Sequence, residues 1–416
     1  MNYPSSLALR ASLALATLTM AGCPTDPLVT PMDARAESAV RDATPQDQQV
    51  IPMDTPEPMD AAAEDVIVPV DAVVDAVSPR DVVDAGRDVT TSCPCPTLPA
   101  MCTPPTVEEP VFTPRSADLQ NQLYAVIACA DRTLDMALYE VTSACFVDAM
   151  IAKLASDSDL QVRIVVENER CPLMAGVRQC ELGRLQSNPR VSIVDDGRSN
   201  LMHHKFVIAD GTRLWLGSAN LSRNSFCTDE NNALVLEDTT VIAAYATEFR
   251  RMFETRMFGP IAFEPAPSPA ARFSVHFSPR SPSTQPPRWH SELINSINAA
   301  RADVEFAISA FTRTDISDAF IAAHMRGVRV RGIVDSSYAM DPAVRALVTA
   351  GIAVRSGNMH SKELIVDGTT IVTGSANWST NAWTNNENSL WIRDSNVAVL
   401  YRTQFERSFA AATVIR

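Results

Sequence analysis

One block of polar residues occurs twice in this chain, and the repeat constrains the fold more than any other feature. The first copy is His203-His204-Lys205 with Phe206-Val207-Ile208-Ala209-Asp210, then Gly217-Ser218-Ala219-Asn220, then Glu230-Asn231. The second is His360-Ser361-Lys362 with Glu363-Leu364-Ile365-Val366-Asp367, then Gly374-Ser375-Ala376-Asn377, then Glu387-Asn388. Each position lies 157 residues after its counterpart, so the polar framework reads as one register without an insertion. Duplication at this scale predicts two similar halves that set matching residues opposite each other.

The residue choice is as telling as the spacing. The chain has only three lysines, Lys153, Lys205 and Lys362, among 35 basic residues, and two of them sit in the block. A compact ammonium and a planar guanidinium are not interchangeable at a phosphate. Of six histidines, His203 and His360 hold matching positions. The apolar runs after them read as buried strands, on which residues i and i+2 share a face. Each His therefore stands beside its Lys. Asp210-Gly211 and Asp367-Gly368 signal tight hairpins, which assigns both aspartates to turns. The strands that follow deliver Ser218 and Asn220, or Ser375 and Asn377, to the same place.

The pattern HxKxxxxD, then GSxN, then a carboxylate-Asn pair, present twice in one chain, resembles the phospholipase D superfamily over roughly residues 112 to 416. The resemblance implies that the two blocks meet across a pseudo-twofold axis in one site. It also implies that His203, the N-proximal histidine, is the attacking group and that a downstream acidic residue supports each imidazole.

The residues themselves fit phosphodiester chemistry. Cleavage needs a nucleophile, an acid for the departing oxygen and cations for the phosphoryl oxygens. An unperturbed imidazole titrates near ~6.5, so one ring can attack while the other donates a proton. A covalent phosphohistidine would divide the reaction into two easier steps. Lys205, Lys362, Asn220 and Asn377 are assigned to the phosphoryl oxygens. Ser218 and Ser375 either join them or shape the turn. Glu230 and Glu387, each 27 residues past its histidine, are the expected orienters of the imidazoles through their second nitrogen. His204 points to the other strand face, and His276, His290 and His324 match nothing in the other half. A metal site is disfavoured, because an ammonium repels a cation. No cofactor is implied.

Composition adds the context. Arg10 precedes an apolar run from Ala11 to Met20 that is too short to span a bilayer and reads as a secretory signal over 1–22. Cys23, directly after Ala21-Gly22, resembles the modified cysteine of a bacterial lipobox. The expectation is an exported chain, lipid-anchored through Cys23 to a membrane, the outer one first, or else secreted. Residues 24–110 hold 17 acids against four arginines and no aromatic, which predicts a disordered acidic tether. That tether carries nearly all of the chain's net charge of -14. Eight further cysteines permit disulfides in an oxidising compartment. A local bond among Cys93, Cys95 and Cys102 is preferred there over a metal site.

Strand and helix patterns alternate in the same order in 111–264 and 288–416, with a Pro- and Ser-rich linker at 265–287. The expected fold is α/β: two similar α/β/α sandwich halves, each with a mixed β-sheet. Three substrates stay open: a phospholipid at a membrane surface, a nucleic acid, or a phosphatidyl group transferred as by a cardiolipin synthase. A nuclease usually carries a basic patch, and the nearly neutral folded part weighs against one. A binding module with a dead site is disfavoured, since both blocks keep every polar element. A monomeric catalytic unit is expected. Trp378 and Trp383 stand either at an apolar lip or in the core.

Overall fold

The computed structural model describes residues 95–114, 117–261 and 271–416. The expected signal peptide, Cys23 and most of the acidic tether lie outside them. The first half runs β1 (Val111–Phe112), α1 (Asp118–Ala128), β2 (Thr133–Leu138), α2 (Ala144–Ser156) and β3 (Gln161–Val166). A small hairpin, β4 (Leu173–Met174) and β5 (Val177–Arg178), precedes β6 (Val191–Asp195), β7 (Lys205–Ala209) and β8 (Arg213–Gly217). The half closes with α3 (Arg223–Cys227), β9 (Asn232–Leu236) and α4 (Thr239–Phe253). The second half runs β10 (Phe273–Ser278), α5 (Arg288–Ala299), β11 (Asp303–Ile308), α6 (Thr314–Met325), β12 (Arg329–Asp335) and α7 (Pro342–Thr349). It ends with β13 (Ala353–Gly357), β14 (Lys362–Val366), β15 (Thr370–Gly374), β16 (Glu387–Arg393), α8 (Ser395–Ala411) and β17 (Thr413–Val414).

The first sheet has the order β1-β9-β8-β7-β2-β3-β6, and the second β10-β16-β15-β14-β11-β12-β13-β17. In each, three strands are parallel (β2, β3, β6 and β11, β12, β13) and the motif hairpins add antiparallel strands. The expected α/β class with two mixed sheets is therefore what the chain adopts. Alternate residues of one strand feed different cores, as the pleat requires. Met136 and Ile164 pack under α1 and α2, whereas Ala137 and Val165 face a central core. That central core joins Phe206, Tyr245 and Phe249 of the first half to Ile365, Tyr401 and Phe405 of the second. The third core lies under α5, α6 and α7. Burial of each large side chain contributes about 1.5–3 kcal/mol. The shared core thus locks the two halves into one body.

The turn residues act as their type predicts. Thr212 N–H donates to Ala209 O over 3.0 Å, with Asp210 and Gly211 both at positive φ, and Thr369, Val366, Asp367 and Gly368 repeat this. Asp210 carboxylate oxygens also accept from the backbone N–H groups of Asp131, Arg132 and Thr133 at 2.7–2.8 Å. Asp367 does the same for Arg301, Ala302 and Asp303. The motif aspartates clamp the loop that enters the central strand.

Three expectations need correction. The tether does not extend to residue 110: disulfides Cys95–Cys145 and Cys102–Cys129 fasten this stretch to α2 and to the end of α1, and Leu98 packs on the first core. Closing loops of 50 and 27 residues contributes roughly 3–4 kcal/mol each, which replaces the apolar side chains the stretch lacks. Cys95 and Cys102 pair with distant cysteines and not with their local neighbours, and a further bond joins Cys171 to Cys180. Part of the 265–287 linker is strand β10, whose Phe273, Val275 and Phe277 pack on the central core from the edge beside β16.

Candidate active site

Strands β7 and β14 start at the motif lysines, and the backbone just before them crosses between halves. His203 N–H donates to Asn386 O and Asn386 N–H to Leu201 O, at 2.9 and 2.8 Å. In mirror fashion, His360 N–H donates to Glu230 O and Glu230 N–H to Asn358 O, at 2.9 and 2.8 Å. These bonds hold each histidine against the residues that lead into the other half's strand, β9 or β16.

Side chains follow the same exchange. Nδ1 of His203 donates to Oε2 of Glu387 over 2.8 Å, and Ser375 Oγ donates to that oxygen over 2.6 Å. Nδ1 of His360 meets Oδ1 of Asn231 at 2.8 Å, and Ser218 Oγ donates to the same atom over 2.8 Å. Gly217 and Gly374 make room for this, because a Cβ at either would lie 2.1–2.3 Å from the carbonyl of Asn232 or Asn388.

The pair at His360 corrects the expectation for Glu230. The backbone partners of Ser218 and Ser375 are Asn232 and Asn388, which are 156 apart rather than 157. Asn231 is thus the structural counterpart of Glu387, and Glu230 that of Asn386. Glu230 contributes backbone contacts to His360 and not the orienting carboxylate. A signal for this was present: Asp238 and Asp394, which cap α4 and α8 by accepting N–H groups of the first turn, are also 156 apart.

Ser218 and Ser375 are fully buried and turned toward the partners of the imidazoles. Each lysine braces its own histidine: Lys205 Nζ donates to His203 O and Lys362 Nζ to His360 O, both over 2.7 Å. Asn377 Oδ1 accepts from Ala310 N–H at 3.4 Å, while Asn220 Oδ1 is buried without a protein donor. Tyr139 supplies a wall the sequence did not reveal. Its ring meets His203 edge-on at 4.6 Å and lies 4.7 Å from Lys205 Nζ, and Arg170 Nε donates to its hydroxyl over 2.9 Å. The residue at the corresponding place in the second half is Ser309, whose N–H donates to Ser361 O as that of Tyr139 does to His204 O.

Electrostatics make the two blocks one site. Burial, then the ammonium groups of Lys205 and Lys362, hold His203 well below the usual imidazole range. Burial, Lys362, Lys205 and His203 do the same to His360. Each lysine acts on both rings. Burial pushes the Glu387 carboxyl up to about 7 against the pull of Lys205. Two imidazoles held neutral beside two ammonium groups make a site whose charge suits an anion. Among the described residues no His, Cys, Asp and Glu cluster could hold a metal.

The other candidates pack. His204 is buried, accepts from Asn388 Nδ2 at 3.0 Å and faces Glu248. His276 lies against Trp391, and His290 beside Asp315. Trp378 belongs to the core with Phe306, Phe311 and Phe320, which settles its two readings. Trp383 stacks under Arg313 at 4.1 Å.

A family model described as "Cardiolipin synthase, PLD-like domain" matches residues 123–253 and 293–409. Mitochondrial cardiolipin hydrolase of Xenopus laevis is 37% identical over 124 residues, 28% of this chain and 59% of that protein. The Homo sapiens protein of the same name is 40% identical over 124 residues, covering 49% of its length. The chain thus spans about half of the curated relatives it matches. The 5'-3' exonuclease PLD3 of Pongo abelii is 26% identical over 214 residues, 42% of this chain and 43% of its own. The crystal structure of phosphatidylserine synthase from Haemophilus influenzae is 14% identical, with a TM-score of 0.54 over 74% of this chain and 88% of that one, a likeness of fold.

Proposed function

We propose a function for a chain that belongs to the phospholipase D-like domain family: it cleaves phosphodiesters through a phosphohistidine, with phospholipids as the substrate. The observation that carries this is the crossed pairing of His203 with Glu387 and of His360 with Asn231 in one field of two lysines. His203, with Nδ1 donated to Glu387, presents the Nε2 lone pair to phosphorus. Attack forms the N–P bond and breaks the bond from phosphorus to the leaving oxygen, which takes a proton from His360. His360 then accepts a proton from water as that water attacks phosphorus and the N–P bond breaks. Lys205, Lys362, Asn220 and Asn377 bind the phosphoryl oxygens, where negative charge builds up. An alcohol in place of water gives phosphatidyl transfer.

Lipid is supported by the similarity to cardiolipin hydrolases and by a folded part that is nearly neutral rather than basic. A second reading, nucleic-acid cleavage by the same steps, is favoured by the similarity to an exonuclease. Export, with Cys23 as a lipid anchor beside the membrane substrate, is proposed with it; the disulfides among the described residues support an oxidising compartment. The test presents purified protein with cardiolipin vesicles, phosphatidylcholine vesicles and plasmid DNA in parallel, all in EDTA because the lysine ammonium groups supply the positive charge. Phosphatidic acid from a lipid supports the assignment. DNA cutting without lipid products replaces it with the nuclease reading.

A further inference from the structure

An apolar hairpin rises beside the site, and the reaction described above makes no use of it. Between Cys171 and Cys180 the chain reads Pro172-Leu173-Met174-Ala175-Gly176-Val177-Arg178-Gln179. Met174 pairs with Val177, and Ala175 and Gly176 turn between them, both at positive φ, as a tight two-residue loop. The base is fixed at several points. The Cys171–Cys180 disulfide closes it, Arg178 is paired with Asp195 and donates to Cys171 O over 3.1 Å, and Gln186 Nε2 donates to Gly176 O over 2.6 Å. The tip is nonetheless apolar and turned to solvent: Leu173, Met174 and Val177 are 52%, 62% and 55% exposed. Contiguous exposed apolar side chains on a braced frame mark a contact surface.

Its position in the sheet ties that surface to the site. Val166, the last residue of β3, is level with Leu138 and, through it, with Lys205. With neighbouring strands about 4.8 Å apart, the connection that carries the hairpin leaves the sheet roughly 10 Å from the motif lysine. Arg170, one residue ahead of the hairpin, donates to the hydroxyl of Tyr139, whose ring meets His203. The second half repeats the arrangement. Val334 of β12 is level with Ile308 and Lys362, and the connection after β12 carries Met340, 74% exposed. Each half thus raises an apolar tip from the sheet edge that holds its own lysine. A polynucleotide would call for cations at these tips; hydrocarbon calls for the side chains that are there.

We propose that the 173–177 hairpin, with Met340 of the second half, is a membrane-docking surface: its tip enters the acyl region of a lipid bilayer and seats the histidines at the layer of headgroup phosphodiesters. The inference deepens the phospholipid reading and rests on it. Apolar side chains lowered into the interface bind in proportion to the area they bury. A hairpin already braced at its base loses little freedom on docking, so more of that gain appears as affinity.

The test has two arms on the full chain. In the first, Met174→Trp is mixed with phosphatidylcholine and cardiolipin vesicles whose acyl chains carry bromine, which quenches an indole only at close range. Quenching of the added tryptophan beyond that of wild type is expected, and its absence overturns the inference. In the second, the triple variant Leu173→Ser, Met174→Ser, Val177→Ser is assayed on the same lipids without bromine and on bis(p-nitrophenyl) phosphate, a water-soluble diester. KM for vesicle lipid rises by about tenfold or more, while the rate on the soluble diester stays within about twofold. An equal loss on both, or none on vesicles, overturns the inference. So does a dimer in sedimentation that the triple variant dissolves while the added tryptophan stays unquenched, which gives the tip to a second copy of the chain. Phosphatidic acid release without quenching removes the docking surface alone. DNA cutting without lipid products removes the phospholipid reading beneath it, a distinguishable failure.

Discussion

His203 and Glu387 are joined over 2.8 Å across a sequence separation of 184 residues. The bond runs from a residue just ahead of β7 in one half to the first residue of β16 in the other, so neither half holds a complete imidazole arm. Catalysis depends on their union.

Replacing either ring therefore removes the whole reaction. His203→Asn and His360→Asn each lower kcat by about 10³-fold or more, because residues that act as a unit lose nearly everything together. Circular dichroism of both variants stays unchanged. Product release from the substrate identified above measures the loss.

The pH dependence follows from opposed shifts. His203 is held neutral well below the usual imidazole range, so it does not limit activity near neutrality. Glu387, pushed up to about 7 by burial, does: its ionised form offsets the charge on His203. The kcat/KM profile rises as pH rises through about 7. Glu387→Gln lowers kcat by about 10²-fold or more and abolishes that limb. A limb that persists in the variant would assign it elsewhere.

Much of this was legible in the sequence. The helix and strand order, the two sheets and the convergence of His and Lys follow from hydrophobic periodicity and the repeated block. Asn231 was missed for a physical reason. Between the GSxN turn and the last central strand the second half is one residue shorter, while Glu-Asn happens to recur one position out of structural register. On a pleated strand a slip of one residue turns every side chain to the other face. Disulfide pairing and strand β10 depend on tertiary contacts, which local pattern does not carry.

Glu363 gives a stability test away from the reaction. It is buried, accepts from Asn232 Nδ2 at 2.7 Å, and burial lifts its carboxyl to about 7. Its folded pKa lies above the unfolded value of 4.5, so its contribution is full below 4.5 and is lost as pH rises through about 7. Glu363→Gln is then more stable than wild type by roughly 3 kcal/mol at pH 8, relative to their difference at about pH 4. Denaturant titrations at the two pH values measure the difference.

The motif aspartates answer to stability alone. Asp367→Ala removes the acceptor for three backbone N–H groups and costs about 1–3 kcal/mol. It leaves kcat within about twofold at a temperature where the variant is folded, since the turn lies away from the histidines. Thermal unfolding and kcat together check this.

The central claim is that two blocks build one reaction centre. Rapid-quench measurement of the covalent phosphoryl burst tests it most directly, with each chain counted against the adduct formed in the first turnover. One equivalent per chain, and none in His203→Asn, is the predicted result. Two equivalents per chain, or one surviving in His203→Asn, would contradict it.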